Sequence, residues 1–425
     1  MRTPGAYVPR LVDGAVRDAL NASGAVLLEG PKWCGKTWTG MTHARSAIWV
    51  GDPTGDYLIR RQAVADPFSL LAGEQPVLID EWQDAPGLWD AVRMAVDRAP
   101  GPGQYLLTGS ATPRDGVVSH SGTGRIARVR MWPMTMWEAD LTGGGVSLGA
   151  LLDGETPSTI TSSWRFSDLA GAILRGGWPG TRGMEFDAAA RLPFDYLQSV
   201  AYADATAIDG TRRAPARVMA LLGSLARNTA TVVTNTTLAR DMVAVEGEGV
   251  SAKTVADYLD VLRRLYVLHE IPAWAPALRS PVRLRSSPKR VFCDPSLAAA
   301  GVGATSASLA ADRKTLGFLF ENLCLRDLLV YAQAIRAGAF YYRDETGLEV
   351  DAIIAAGDGR WMGIEVKLTD NGVEPGAESL LRLARKMTAA GQQPPSALVV
   401  VTGMDSFAHR RNDGVVVVPI DALEP

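Results

Sequence analysis

The sequence predicts an α/β fold in three parts, and three observations carry that prediction. A short apolar run feeds a glycine-rich loop with a lysine near the amino terminus, and apolar residues at helical spacing fill the middle. The last third reads as a helix, three strands, a helix and a strand. A chain of 425 residues is too long for one ordinary core, so about two to four domains are expected. The pattern shifts set boundaries at 1–160, 161–278 and 279–425.

The first part rests on residues 25–29 (AVLLE), an apolar run that enters Gly30, Pro31, Lys32, Trp33, Cys34, Gly35, Lys36 and Thr37. This is a full G-x-x-x-x-G-K-T motif. Its backbone N–H groups and the following helix N-terminus surround phosphates, Lys36 reaches the β and γ oxygens, and Thr37 binds Mg²⁺. A second run, Pro76 to Ile79, ends in Asp80 and Glu81. Acids at the carboxyl end of a parallel strand fit a metal-holding Asp80 and a water-activating Glu81. A third run, Gln104 to Leu107, ends in Thr108-Gly-Ser110. Either hydroxyl is placed to sense a γ-phosphate, and a plain turn makes the same pattern. Arg125 is the candidate to approach a phosphate, in cis or from a neighbouring subunit.

Residues 142–162 are rich in glycine, serine and threonine and are expected to be a linker. Beyond Arg175-Gly-Gly-Trp-Pro-Gly180 the spacing predicts helices, then a short helix over 236–243 and a longer one capped by Ser251. An extended stretch, Val267 to Ile271, follows, and this order suggests a winged helix-turn-helix. Lys253, Thr254, Arg263 and Arg264 face outward on the second helix, interrupted by Asp257 and Asp260. A basic stretch holds Arg279, Arg283, Arg285, Lys289 and Arg290 with no acid. Its readings are phosphate binding or a solvated loop.

In the last third, a helix from Leu316 to Tyr331 carries Glu321, and strands cover 340–343, 348–354 and 361–368. Period-two alternation puts Glu349 with Asp351 on one face, and Glu365 with Lys367 on one face. Asp351 and Glu365 then form a divalent-metal site, Glu321 adds a carboxylate, and Lys367 orients water or stabilises phosphate charge. A solvated sheet face uses the same residue types, and the element order favours the catalytic-type core.

Composition bounds the rest. Apolar residues make up 47% and charged residues 21%, which fits a folded globular chain. A net charge of −3 carries no global signature for nucleic acid, although a local patch remains open. Cys34, Cys293 and Cys324 lack metal spacing and suit a reducing compartment. Neither a signal-peptide pattern nor a membrane-spanning run is present, so a cytoplasmic protein is expected.

Together these residues resemble a family of bacterial and archaeal AAA-type ATP-binding proteins. Its members join a P-loop domain to a C-terminal domain of uncharacterised function similar to PD-(D/E)XK nucleases. The resemblance rests on Gly30 to Thr37, Leu78-Ile-Asp80-Glu81, Leu107-Thr-Gly-Ser110, Phe320-Glu-Asn322, Gly347-Leu-Glu-Val-Asp351 and Ile364-Glu-Val-Lys367. It implies a P-loop NTPase (AAA-type) domain, a helical middle and an α/β restriction-endonuclease-like C-terminal domain. It also implies ATP and Mg²⁺ at Lys36, Thr37 and Asp80, and a nuclease-like site at Asp351, Glu365 and Lys367. Two functions follow as expectations. One is an ATP-dependent protein acting on DNA, with metal-dependent endonuclease activity in the tail. The other is a nucleotide-driven switch or scaffold that oligomerises and binds a protein partner, with an inactive tail.

Overall fold

A computed structural model describes residues 7–112, 120–208, 210–246, 250–276, 286–405 and 407–425. The amino-terminal sheet contains β1 (Ala25–Glu29), β2 (Ser46–Trp49), β3 (Val77–Asp80), β4 (Tyr105–Gly109) and β5 (Ile126–Arg130). All pair in parallel, in the order β2-β3-β4-β1-β5. Both faces are covered at the centre of the sheet, which is why β1, β3 and β4 read as apolar runs. Val26 and Leu28 pack with Val12, Val16 and Leu20 of α1 (Val12–Ala22). Ala25 and Leu27 share the opposite core with Leu88 and Val92 of α4 (Gly87–Arg98). Between them in sequence come α2 (Lys36–His43), which starts at the end of the glycine loop, and α3 (Thr54–Ala65).

Residues 142–162 are not a simple linker. Within them β6 (Val146–Ser147) pairs in parallel with the terminal strand Leu423–Glu424, and Ser147 caps α5 (Leu148–Leu152). Leu148, Leu151 and Leu152 are buried, so apolar burial outweighs the local glycine and serine content.

The middle begins with α6 (Phe166–Arg175) and α7 (Phe186–Ser199). A π-helical turn, Val200–Asp204, runs into α8 (Ala205–Ala207), followed by α9 (Pro215–Arg227), α10 (Asn235–Glu246) and α11 (Ala252–Arg264). Ser251 caps α11 by accepting the Thr254 N–H at 3.0 Å, and Val255, Leu259 and Leu262 are buried, as their spacing predicts. Next come β7 (Leu268–Ile271), β8 (Lys289–Phe292) and α12 (Pro295–Gly301). The strands β7 and β8 pair antiparallel, and α12 packs on α7 and α9. The expected boundary at residue 279 therefore falls inside a unit whose strands pair across it. Arg279, Arg283 and Arg285 lie outside the described residues.

The last part follows the element order expected from the sequence. After α13 (Ser306–Ala311) and the long α14 (Arg313–Ala334) come β9 (Gly338–Arg343), β10 (Glu349–Ala355), β11 (Trp361–Lys367), α15 (Val373–Ala389) and β12 (Ala397–Thr402). With β13 (His409–Arg410) and β14 (Val416–Pro419) they form a sheet ordered β13-β14-β12-β11-β10-β9. Helix α14 covers one face with Leu316, Leu323 and Leu328, and α15 covers the other with Leu380 and Leu383.

One buried ionic network ties the three parts together. Arg326 of α14 donates to Asp327 at 2.7 Å and to Asp294 at 2.8 Å. Asp294 also accepts the Gly177 N–H at 2.8 Å, and Asp327 accepts the Met136 N–H at 3.1 Å. Gly177 is required here because a Cβ would stand 2.0 Å from the Met134 carbonyl oxygen. Among the described residues no helix is long and apolar enough to cross a membrane.

Candidate functional site

The phosphate loop is shaped by what it packs against. Gly30 follows β1 so closely that a Cβ would meet the Met131 carbonyl oxygen at 2.2 Å. Trp33 and Gly35 take positive φ values of 66° and 105°, which curl the loop before α2 begins at Lys36. Cys34 points into the core, and the Trp33 side chain stays exposed. Trp33 also lines the cleft over the loop, its ring edge-on to Tyr196 at 6.1 Å. Arg10 secures the loop from behind: its guanidinium donates to the Cys34 carbonyl at 2.8 Å and pairs with Glu138 at 3.0 Å.

Six candidate residues, Lys36, Thr37, Asp80, Glu81, Thr108 and Ser110, converge at the carboxyl ends of β1, β3 and β4. The Lys36 ammonium is buried and donates to the Pro31 carbonyl at 2.8 Å. The Thr37 hydroxyl donates to Asp80 Oδ1 at 2.9 Å, and Thr108 donates to the same oxygen at 2.7 Å. Burial pushes the Asp80 carboxyl above its ordinary value despite these two bonds. Glu81 has φ of 56° and accepts from Gln83 and, at 2.9 Å, from the Ser110 hydroxyl. The Thr108 hydroxyl also accepts the Glu81 N–H at 3.1 Å, so the two hydroxyls left open by the sequence donate to different carboxylates. Thr108 steadies the metal-type aspartate, and Ser110 steadies the catalytic-type glutamate.

Arg125 is not part of this arrangement. It precedes β5 at the opposite end of the sheet, because β5 runs parallel to β1 with Ile126 opposite Ala25. Its guanidinium pairs with Asp97 at 2.7 Å, so the expected contact in cis is not made.

The cleft over the loop has a volume of about 1220 Å³, and its far wall comes from the helical middle. Trp178, Pro179, Thr181, Met184 and Ile208 line it opposite Lys36 and Thr37. Trp178 is held by its indole N–H to Ser296 at 3.0 Å and by stacking on Tyr196 at 5.1 Å. Lys32 reaches across to Asp204 at 2.6 Å. Sequence reasoning passed over this wall, although the Gly-Gly-Trp-Pro-Gly run was a signal: such punctuation marks a backbone that must approach something closely.

Tyr266 connects the same region to the end of α11. Its hydroxyl donates to Glu29, the last residue of β1, at 2.9 Å and lies 2.6 Å from the Thr112 hydroxyl beyond β4. Arg264 donates to the Thr112 carbonyl at 3.0 Å, so this face of α11 serves the phosphate-loop domain. The Arg130 guanidinium stacks between Tyr266 and Trp132, at 4.2 and 4.9 Å from their ring centres. His269 sits edge-on to Trp132 at 4.8 Å, and burial, then the nearby Arg130 charge, lowers its pKa to about 3.

An imidazole held neutral in this way gives a pH prediction. The folded pKa lies below the unfolded value of about 6.5, so the contribution is complete above that pH and is lost as pH falls toward 3. At pH 5 the wild type should lose about 1–2 kcal/mol more stability, relative to pH 7.5, than His269→Gln does. Urea unfolding at the two pH values measures it, and equal losses in both proteins would refute it.

The second expected site also assembles, with an addition. Glu321 of α14, Glu349 and Asp351 of β10, and Glu365 and Lys367 of β11 come together. A bulge in the β9–β10 pairing between Val350 and Ile353 aims Asp351 into the group. The addition is Lys289, whose ammonium lies 2.7 Å from Glu321, 3.3 Å from Asp351 and 3.6 Å from Glu349. Lys367 pairs with Glu365 and lies 3.5 Å from Asp351. Burial works against charge on Asp351, but Lys289 and Lys367 hold its carboxyl well below the ordinary range. Burial and the Asp351 charge push Glu321 and Glu365 upward.

These distances correct two expectations. Among the described residues no group of three or more His, Cys, Asp or Glu side chains is arranged to hold a metal ion. The expected metal set of Asp351, Glu365 and Glu321 is bridged by ammonium groups instead. The basic stretch also loses two members. Lys289 is buried in this cluster, and Arg290 is buried against Glu270 at 3.0 Å and the Val233 carbonyl at 2.6 Å. On α11, Arg263 pairs with Glu270 at 2.9 Å.

Comparison with known proteins bears on the domains rather than on single residues. Residues 22–139 match the family model described as an AAA domain. Residues 167–308 match a domain of unknown function, DUF8612, and residues 316–423 match another, DUF4143. The uncharacterized proteins Mb2031c of Mycobacterium bovis and Rv2008c of Mycobacterium tuberculosis are each 26% identical over 410 residues. Each alignment covers 96% of this chain and 82% of the relative. Among solved structures, the Walker-type ATPase PABY2304 of Pyrococcus abyssi aligns with a TM-score of 0.40 and 14% identity, over 68% of this chain and 94% of that one. The amino-terminal part is an AAA-type, P-loop ATPase-like domain within a mixed α/β chain.

Proposed function

We propose that this chain is a nucleotide-driven switch that binds and hydrolyses ATP and passes its nucleotide state to the helical middle. The carrying observation is that one cleft is walled by Lys36 and Thr37 on one side and by Trp178 and Ile208 on the other. The donor set fits ATP with Mg²⁺. Thr37 and Asp80 already share a hydrogen bond, and Lys36 rests on a loop carbonyl from which it can turn to a phosphate. Mg²⁺, when bound, neutralises charge on the β and γ phosphates.

The chain's own residues supply the remaining steps. Thr37 and Asp80 hold the ion, and Lys36 binds phosphate oxygens. Glu81 leaves Ser110 and orients a water, taking its proton as the water oxygen bonds to the γ-phosphorus and the bond to the β–γ bridging oxygen breaks. Inorganic phosphate and ADP leave. The cleft then loses the γ-phosphate that joins its two walls.

Tyr266 is the proposed relay, since it binds Glu29 at the end of β1 and Thr112 beyond β4. Tyr266→Phe deletes one hydroxyl and should cost about 1 kcal/mol of stability. ATP binding should persist while ATP-dependent protection of α11 and β7 from hydrogen exchange is lost. Protection equal to wild type would remove Tyr266 from the pathway. Absence of ATP hydrolysis in the wild type would refute the ATPase proposal itself.

The alternative, action on DNA, rests on Lys253 and on Arg279, Arg283 and Arg285, because Lys289, Arg290, Arg263 and Arg264 have internal partners. A salt-sensitive DNA shift abolished by neutralising those three arginines would restore it.

A further inference from the structure

We infer that the C-terminal carboxylate cluster carries its own cation, the Lys289 ammonium, in the position where a nuclease-like site would take a divalent metal. Lys289 does not belong to the helix and strands that present the acids. It arrives from β8, which is paired with β7 of the helical middle, Lys289 standing opposite Ile271. Its side chain is 1% exposed; its ammonium donates to Glu321 and Asp351 and lies 3.6 Å from a third carboxylate, Glu349.

Asp351 shows how completely the position is taken. One oxygen faces Lys289 at 3.3 Å. The other accepts the Val366 N–H at 2.9 Å and lies 3.5 Å from Lys367. A divalent ion would need several carboxylate oxygens drawn in to about 2.0–2.6 Å, next to an ammonium that repels it. Expelling Lys289 would force a buried ammonium out of its 2.7 Å bond to Glu321 with no other partner in place for it.

The built-in cation has a structural consequence. It joins β8 to the C-terminal sheet, and β8 is paired through β7 to the segment after Tyr266. The C-terminal domain is thereby fastened to the relay by charge and has no metal chemistry of its own. This goes beyond the switch reading and does not depend on it, because its test uses no nucleotide.

The test is Mn²⁺ binding to the full chain, followed by electron paramagnetic resonance. Wild type and Asp351→Asn should bind equal amounts, and neither should cleave DNA. Lys289→Met should gain about one bound ion per chain, which Lys289→Met/Asp351→Asn should lose. Lys289→Arg, which keeps the charge, should gain none. Extra Mn²⁺ in wild type relative to Asp351→Asn would overturn the inference, as would a folded Lys289→Met that gains nothing. If Lys289→Met does not fold, the comparison of wild type with Asp351→Asn still decides it.

Discussion

Lys36→Ala should abolish ATP hydrolysis while leaving the fold intact. The ammonium is buried and makes its hydrogen bond to a loop carbonyl, so its removal deletes a charge that the folded chain gains little from holding. A bound nucleotide presents several negative charges to the same spot. Loss of a preorganised cation there costs on the order of 3–4 kcal/mol in the transition state, or roughly 10²–10³-fold in rate. Glu81→Gln should lose hydrolysis by a similar factor and keep ATP binding, because Glu81 is placed to handle water. Hydrolysis by filtered, steady-state phosphate release and binding by fluorescent nucleotide titration separate the two. Undiminished turnover in Lys36→Ala would place the activity elsewhere.

The largest expected loss of stability comes from Arg326→Met. Asp294 and Asp327 are fully buried, and Arg326 is the cation between them. Burial already pushes the Asp327 carboxyl up to about 6 even with Arg326 beside it. Removing the guanidinium leaves two buried acids without their counter-charge, at a cost of about 3–5 kcal/mol. Urea unfolding should show the loss. Arg326→Met/Asp294→Asn/Asp327→Asn, which removes all three charges, should recover part of it. A loss below about 1 kcal/mol in the single variant would mean that water or a shifted backbone satisfies the acids. Because the network also holds Gly177 and Met136, the same variant should loosen the Trp178 wall of the nucleotide cleft.

Much of the phosphate-loop site was legible because its information is local. Gly30, Gly35, Lys36 and Thr37 fall within one short segment, and their roles follow from backbone conformation and the helix that starts there. Asp80 and Glu81 were legible as acids ending an apolar strand, since a parallel strand delivers its carboxyl end to the same edge of the sheet. The position of Arg125 within its own chain was not legible for the complementary reason. Its sequence surroundings give no sign of which end of β5 it occupies, and parallel pairing with β1 puts it at the far edge.

The second site shows the same division. Alternation and element order brought Glu321, Asp351, Glu365 and Lys367 together on paper, and the fold brings them together in space. Lys289 looked like one of five basic residues on an exposed stretch, because nothing near it in sequence signals burial. Only the pairing of β8 with β7 and the packing of α14 carry its ammonium among acids as distant in sequence as Asp351.

The sequence by itself determined the glycine-rich loop between β1 and α2, the element order of the last third and the strand faces that carry its acids, because short-range spacing and strand or helix periodicity encode these. Tertiary structure alone decided which cation neutralises those acids, which wall closes the nucleotide cleft and which tyrosine joins the two. Those outcomes depend on contacts between distant segments, where burial and charge pairing overrule the local pattern.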